Sequence, residues 1–392
     1  MLDRLQDTPP DALLALIKQF AADEREDKID LGVGVYRTDD GATPVFAAVK
    51  AAERRLLDEQ DSKSYLGPEG DSGFVNALMP IVFGSDATMG GRIDGLQTPG
   101  GTGAVRLAIA IAQKAGVTRV HVGTPSWPNH IPIITDVGLE APTFSHANAD
   151  GSADADALLE IIRAGREGDA VLIHACCHNP TGIDYSPEQW DEIAEALSTS
   201  PVLPIIDIAY QGLGEGLEED AAGLRKVLAK VPYALVAYSC DKNFGLYRDR
   251  VGAFYAKVAE PAQLGAALSN AAALARANWS MPPDHGGAVV RIALRDEEMR
   301  QTWLDELTGM RERLRWVRSY LAKADGKVDG VPLGHLEDQN GLFAMLPLNK
   351  DQIAKLRDDH AVYMAGSGRI NIAGLTKGNI DKFVAALADV SA

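Results

Sequence analysis

The sequence predicts an α/β protein whose mostly parallel sheet is covered by helices on both faces. Three observations predict it. Short runs of near-continuous apolar character, "VTRVHVG", "GDAVLIHACC", "PVLPIIDIAY" and "VPYALVAYSC", recur between longer stretches of helical character. Strands read this way when both faces are buried, whereas a half-solvated sheet alternates polar with apolar residues. Polar side chains also collect at the ends of the runs: Trp127 and His130, Asn179, Asp207 and Tyr210, Ser239 and Lys242. In an open α/β sheet, ligands bind outside those carboxyl ends.

Taken in order, Leu13, Leu14, Leu16, Ile17 and Phe20 stand at helical spacing behind Pro9, Pro10 and Asp11, which predicts an opening amphipathic helix. "QTPGGTGAVRLAIAIAQKAG" is a Gly-rich turn that opens a helix at about Thr102. "VTRVHVGTPSWPNH" reads as strand then loop, and "GDAVLIHACCHNPTG" as strand then turn. "SPEQWDEIAEALSTS" is a helix with Ser186 as N-cap and Gln189 completing a capping box. "PVLPIIDIAYQGLG" and "VPYALVAYSCDKNFG" supply two more strands. A long helical region, "PPDHGGAVVRIALRDEEMRQTWLDELTGMRERLRWVRSYLAKA", closes this part. Beyond it, "LGHLEDQNGLFAMLPL" and "RINIAGL" read as strands of a smaller α+β unit.

A chain of 392 residues has room for roughly two to three domains. Its composition, 46% hydrophobic and 24% charged, suits a protein that buries a large core. The net charge of −17 argues against nucleic acid or an anionic membrane as partner, so any anion must be bound by local basic groups. Cys176, Cys177 and Cys240 are odd in number and include no C-x-x-C pair, which removes a disulfide framework and a zinc ribbon. The first twenty residues lack a basic n-region, and no run reaches the ~18 apolar residues of a membrane helix. A cytoplasmic protein is expected.

The chemistry begins with "SCDKNFGLYRDRVG". A lysine beside a fixed cation such as Arg250, in a poorly hydrated cleft, is disfavoured in its charged form. Lys242 is then able to attack a carbonyl and hold it as a Schiff base. Arg250 presents a bidentate fork suited to phosphate. Gly100, Gly101 and Thr102 offer backbone N–H groups at a helix N-terminus, where the dipole favours an anion. That turn is neither Walker A nor G-x-G-x-x-G, which disfavours a nicotinamide-dependent oxidoreductase. Together with Ser239, these groups fit one ligand carrying an aldehyde and a phosphate, namely pyridoxal 5′-phosphate (PLP). Asp207 would pair with its ring nitrogen, Asn179 and Tyr210 would reach its 3′-oxygen, Trp127 would stack on the ring, and His130 would orient Asp207. Each residue taken singly has an ordinary structural reading as core, cap or turn.

"LGVGVYRTDDGATPVF", "YLGPEGDSGF", "QTPGGTGAVRLA", "TPSWPNH", "HACCHNPTG", "DIAYQG", "SCDKNFGLYRDRVG", "RANWSMPPDHGG" and "GRINIAGL" follow one another along nearly the whole chain. In these stretches the sequence resembles the fold-type I, class I aminotransferases, in the aspartate and aromatic amino acid aminotransferase subgroup. The resemblance implies a large PLP-binding domain over 44–309 with a mostly parallel seven-stranded sheet, and a small α+β domain from 1–43 and 310–392. It implies the Schiff base on Lys242 and the phosphate on Gly101, Thr102, Ser239, Arg250 and Tyr65, the last from a partner subunit of a homodimer. Arg369, with Gly34, Trp127 and Asn179, would hold the substrate α-carboxylate, and Arg276 would cross the interface to a distal carboxylate. Ping-pong transfer of an amino group from aromatic amino acids or aspartate to 2-oxoglutarate is expected. A strict aspartate aminotransferase and a PLP-dependent lyase or decarboxylase are the alternatives. Two departures stand out. Asp241 replaces the usual Ser or Thr before the lysine, and is expected to turn away from the phosphate, toward Arg248 or another donor; the alternative is that it competes for Arg250 and weakens cofactor retention. Trp279 and Met281 stand where Tyr and Asn are common, which leans toward a mixed aromatic and dicarboxylic specificity.

Overall fold

The computed structural model describes residues 2–7 and 12–391. Pro9, Pro10 and Asp11, expected to precede the first helix, lie outside the described residues. The chain forms two compact units, one of residues 44–313 with 339–341, the other of residues 1–43, 314–338 and 342–392.

The larger unit is built on seven strands: β1 (Ile93–Pro99), β2 (Arg119–Thr124), β3 (Thr143–Ser145), β4 (Asp169–His174), β5 (Leu203–Ile208), β6 (Ala234–Ser239) and β7 (Val251–Lys257). Their order across the sheet is β1-β7-β6-β5-β4-β2-β3. Only β7 runs against its neighbours; the other pairings are parallel. The central strands explain the continuous apolar runs, because every residue of β4, β6 and β7 is buried. Helix α1 (Gly100–Lys114) follows β1 directly. Its Val105, Leu107, Ala108 and Ile111 join Leu96, Val120, Val122, Leu172, Ile205 and Phe254 of the sheet in one core cluster. The capping box of the helix Pro187–Ser198 is formed as the sequence predicts, with Ser186 and Gln189 exchanging hydrogen bonds.

The smaller unit carries the opening helix Ala12–Ala22 and two short ladders. Ile29–Asp30 pairs in parallel with Val362–Tyr363, and Arg369–Asn371 pairs antiparallel with Phe343–Met345. Two readings are corrected. The long helical region is two helices, Asp284–Arg295 and Glu297–Ala322, separated at Asp296. Asp296 adopts an extended backbone (φ −92°, ψ 124°), and its side chain accepts from Met299 N at 3.0 Å, so it caps the second helix. "GHLED" is a 3₁₀ turn, Gly334–Asp338, rather than strand. Asp325 Oδ1 accepts from Leu333 N (2.7 Å) and Gly334 N (3.0 Å), tying the chain into a turn just before it.

The loop after Lys242 is anchored from the core. Trp303 is fully buried, stacks on Phe244 at 4.6 Å between centroids, and donates from Nε1 to Asn243 O at 2.7 Å. Trp303→Ala should lower unfolding stability by about 3–5 kcal/mol, the usual cost of emptying a large buried aromatic site. A urea titration checks it: the midpoint falls with little change in slope.

Candidate active site

Strand register brings the polar ends together. Asp207 on β5 lies opposite His174 on β4 and Ala237 on β6, and Ser239 lies opposite Gly252 on β7. Gly252 also faces Thr98 on β1, so the turn into α1 sits beside the start of β7. A Cβ at Gly252 would stand 2.5 Å from Gly100 C, so only glycine lets the two backbones approach this closely. Gly100 itself has φ +72°, and a Cβ on Gly101 would meet Ser239 Cβ at 2.8 Å. The result is a shallow cradle at the N-terminus of α1, floored by Ser239.

Asp207 is 5% exposed and its Oδ2 accepts a hydrogen bond from His130 Nε2 at 3.0 Å. His130, itself fully buried, turns Nδ1 to Ser126 Oγ at 2.8 Å, so Ser126 and Asp207 fix the ring between them. Burial pushes the Asp207 carboxyl up, but the hydrogen bond from His130 and the nearby Lys242 charge work against it, and the carboxyl is held below its usual value. Trp127 meets His130 edge to face at 5.1 Å. Asn179 Nδ2 reaches Tyr210 OH at 3.5 Å, and Asn179 Oδ1 is buried with no partner among the described residues. An orphaned acceptor beside a phenol in a cleft marks room for a further donor.

Lys242 Nζ stands 5.2 Å from the centroid of the Tyr210 ring. Desolvation is the main influence on its amine and lowers its basicity; Asp241 and Asp207 work against this, Arg250 with it. The neutral, nucleophilic form is therefore more accessible than in a free lysine. Arg250 has a left-handed backbone, φ +56°, unusual for a non-glycine residue and a form of strain found at functional sites. Its Nη1 donates to Asp241 Oδ2 at 2.5 Å and to Tyr247 O at 3.2 Å. This corrects the expectation for Asp241, which does not turn toward Arg248. A carboxylate only 4% exposed must be paired, and Arg250 is the cation that pairs it.

The remaining expected residues are not part of this cluster within the larger unit. Tyr65 is 93% exposed, and Arg276 is exposed near the end of the helix Pro261–Trp279. In the smaller unit, Arg369 donates to Gly32 O at 2.9 Å and lies 4.5 Å over the Phe343 ring. A Cβ on Gly34 would meet that same ring at 2.8 Å. Sequence reasoning missed Ser126 and His174. His174 ends β4 one strand from Asp207, with its ring 5.0 Å from His130 and its Nε2 buried without a partner among the described residues. Its place at the end of an apolar run was the available signal.

A desolvated lysine, an anion cradle at a helix N-terminus and a carboxylate fixed by an imidazole suit an aldehyde, a phosphate and a ring nitrogen. The glycine-made cradle would be filled by any larger side chain and leaves room for a phosphate, so the site fits PLP and the molecule is of the PLP-dependent class. Residues 26–387 match the family described as aminotransferase class I and II, and the chain belongs to that family. It is 49% identical over 376 residues to a tyrosine aminotransferase of Rhizobium meliloti, covering 96% of each chain. It is 40% identical over 395 residues to an aspartate aminotransferase of Escherichia coli, covering 100% of each. A solved structure of an aromatic-amino-acid aminotransferase from Burkholderia pseudomallei, covalently bound to pyridoxal phosphate, matches with a TM-score of 0.96 at 33% identity, covering 100% of each chain. The protein is a PLP-dependent transaminase.

Asp207→Ala should leave cofactor bound and slow turnover by roughly 10²–10³-fold, taking most of the about 3–5 kcal/mol lost when one partner of a buried charged pair is removed. A near wild-type rate in the cofactor-loaded variant rejects a role for this carboxylate.

Proposed function

We propose that the protein transfers the amino group of aromatic amino acids and of aspartate to 2-oxoglutarate, in two half-reactions with ping-pong kinetics. The observation that carries the reading is the convergence of Lys242, Asp207, Asn179 and Tyr210 at the carboxyl edge of one sheet. PLP, when bound, supplies an electron sink that weakens the bonds at a substrate's Cα. Lys242 Nζ would hold the cofactor's aldehyde and, once released by an incoming amine, carry the proton at the substrate Cα. Asp207, kept ionised and oriented by His130, would hold the ring nitrogen protonated. Tyr210 and Asn179 would bind the 3′-oxygen, and Trp127 would cover the ring. Gly101, Thr102, Ser239 and Arg250 would receive the phosphate.

Substrate choice rests on other groups. Arg369 is proposed to grip the α-carboxylate, with Gly34, Trp127 and Asn179, and Arg276 to grip a distal carboxylate. The exposed positions of Tyr65 and Arg276 support their service to a partner's site in a homodimer. Trp279 and Met281, in place of more polar residues, support aromatic side chains as well as dicarboxylates. Relatives named for tyrosine and for aspartate support the same mixed reading.

Borohydride reduction of the holoenzyme should fix the pyridoxyl group on the peptide containing Lys242, and Lys242→Ala should fold but not turn over. A label on any other lysine rejects the central assignment. The arginines should separate by substrate. Arg369→Ala should impair every amino acid, and Arg369→Lys should stay poor because an ammonium does not replace a bidentate fork. Arg276→Ala should cost aspartate far more than phenylalanine in kcat/KM. Equal losses on both substrates contradict the role given to Arg276.

A further inference from the structure

We propose that Asp241 is a built-in competitor of the cofactor's phosphate for Arg250, and that this chain consequently holds PLP more loosely than the same site without that carboxylate. The inference rests on the reading of the site as a PLP site. Arg250 Nη1 is committed to Asp241 Oδ2 and Tyr247 O. Nη2 and the Asp241 carboxylate both press on the turn that begins α1: a Cβ at Gly100 would stand 2.6 Å from Arg250 Nη2 and 3.2 Å from Asp241 Oδ2. The anionic side chain is therefore seated at the same glycine turn whose N–H groups and helix dipole attract an anion.

The charges do not balance. A phosphate monoester carries about −1.5 to −2 at neutral pH, and Asp241 adds a further negative charge against the cation beside the turn, Arg250. The carboxylate side of the pair is 4% exposed, so water does little to screen it, while the Arg250 side chain is 41% exposed. Binding a phosphate at Arg250 either divides one guanidinium between two anions or displaces Asp241 into a poorly hydrated position, and both weaken the complex.

Asp241 also braces the backbone. Its Oδ1 accepts from Val251 N at 3.2 Å, immediately after the left-handed Arg250. A substitution that removes the whole side chain would mix the loss of that support with the loss of charge. Asp241→Asn keeps one oxygen to accept from Val251 N, removes the charge, and replaces the oxygen facing Arg250 Nη1 with an amide donor, so the brace stays while the claim on Arg250 is lost. Asp241→Ser restores the hydroxyl common before the lysine in relatives of this kind. Asp241 also raises the proton affinity of Lys242, so an effect on the amine has to be separated from one on the phosphate.

The full-length protein, stripped of cofactor, is titrated by visible absorbance with PLP and, in parallel, with pyridoxal, which has the aldehyde but no phosphate. In Asp241→Asn and Asp241→Ser, PLP should bind at least tenfold more tightly than in the wild type, a change of about 1.4 kcal/mol. Pyridoxal affinity should change less than twofold. Unchanged or weakened PLP binding in Asp241→Asn overturns the proposal and makes the carboxylate a support for Arg250. Equal tightening of PLP and pyridoxal also overturns it, placing the effect on Lys242 instead. If no chromophore forms with PLP in any of the three proteins, the site reading itself fails.

Discussion

Strand register is the constraint on which the site depends. Successive side chains of a strand point to opposite faces, so a slip of one residue would send Asp207 to the other side of the sheet. The pairing Asp207 with His174 and with Ala237, and Ser239 with Gly252, holds the carboxyl edge level from β4 to β7. Because β4, β6 and β7 are buried along their whole length, register is held here by close packing on both faces, where a shift would misfit every side chain. The core and the chemistry therefore make the same demand. Apolar residues that fill the interior also decide which polar residues emerge at the edge, and in what order.

That edge is electrostatically unusual because its charges are few and fixed by neighbours. Asp207 stays ionised through His130, whose other nitrogen is occupied by Ser126. Behind them runs a row of imidazoles: His174 is 4.4 Å from His178, and His178 stacks on His146 at 3.4 Å. Burial pushes His174 down to about 3 and His146 to about 4, so these two remain neutral at ordinary pH. Neutral rings pack against the carboxylate's support without adding charges that would cancel it. Lys242 is likewise shifted toward its neutral form by desolvation. One ionised carboxylate beside one readily deprotonated amine is the condition for holding a pyridinium proton and an aldehyde side by side.

Much of this was legible in the sequence, for physical reasons. Short continuous apolar runs set between longer helical stretches fit strands buried on both faces, so the sheet was legible, and the polar residues ending those runs pointed to Trp127, Asn179, Asp207, Tyr210, Ser239 and Lys242. The misses have a common origin in side chains that bind nearby backbone. Asp296 splits a helical pattern by capping the second half, and Asp325 pulls Leu333 and Gly334 into a turn where their composition suggested strand. Periodicity carries no trace of such bonds. His174 was hidden differently, since a histidine at the end of an apolar run has the same appearance whether it only packs or stands beside a buried carboxylate on the next strand.

Asp241 shows where reasoning from composition reaches its limit. Repulsion between a carboxylate and a phosphate favours turning Asp241 away from the anion cradle. A carboxylate buried to 4% exposure, however, needs its own cation and hydrogen-bond donors, and only the folded structure shows which groups are close enough to supply them. Arg250 and the Val251 N–H satisfy that requirement within the same short segment, ten residues or fewer along the chain. The nearer and more buried demand prevails in the protein alone, because a group committed to the interior must be paired before any ligand arrives. On the proposed reading of the site, Arg250 serves the fold first and an incoming phosphate second. A hydroxyl at position 241 would leave the guanidinium without that prior claim. A single substitution beside the lysine can change how strongly a cofactor is held without touching the groups that perform the chemistry.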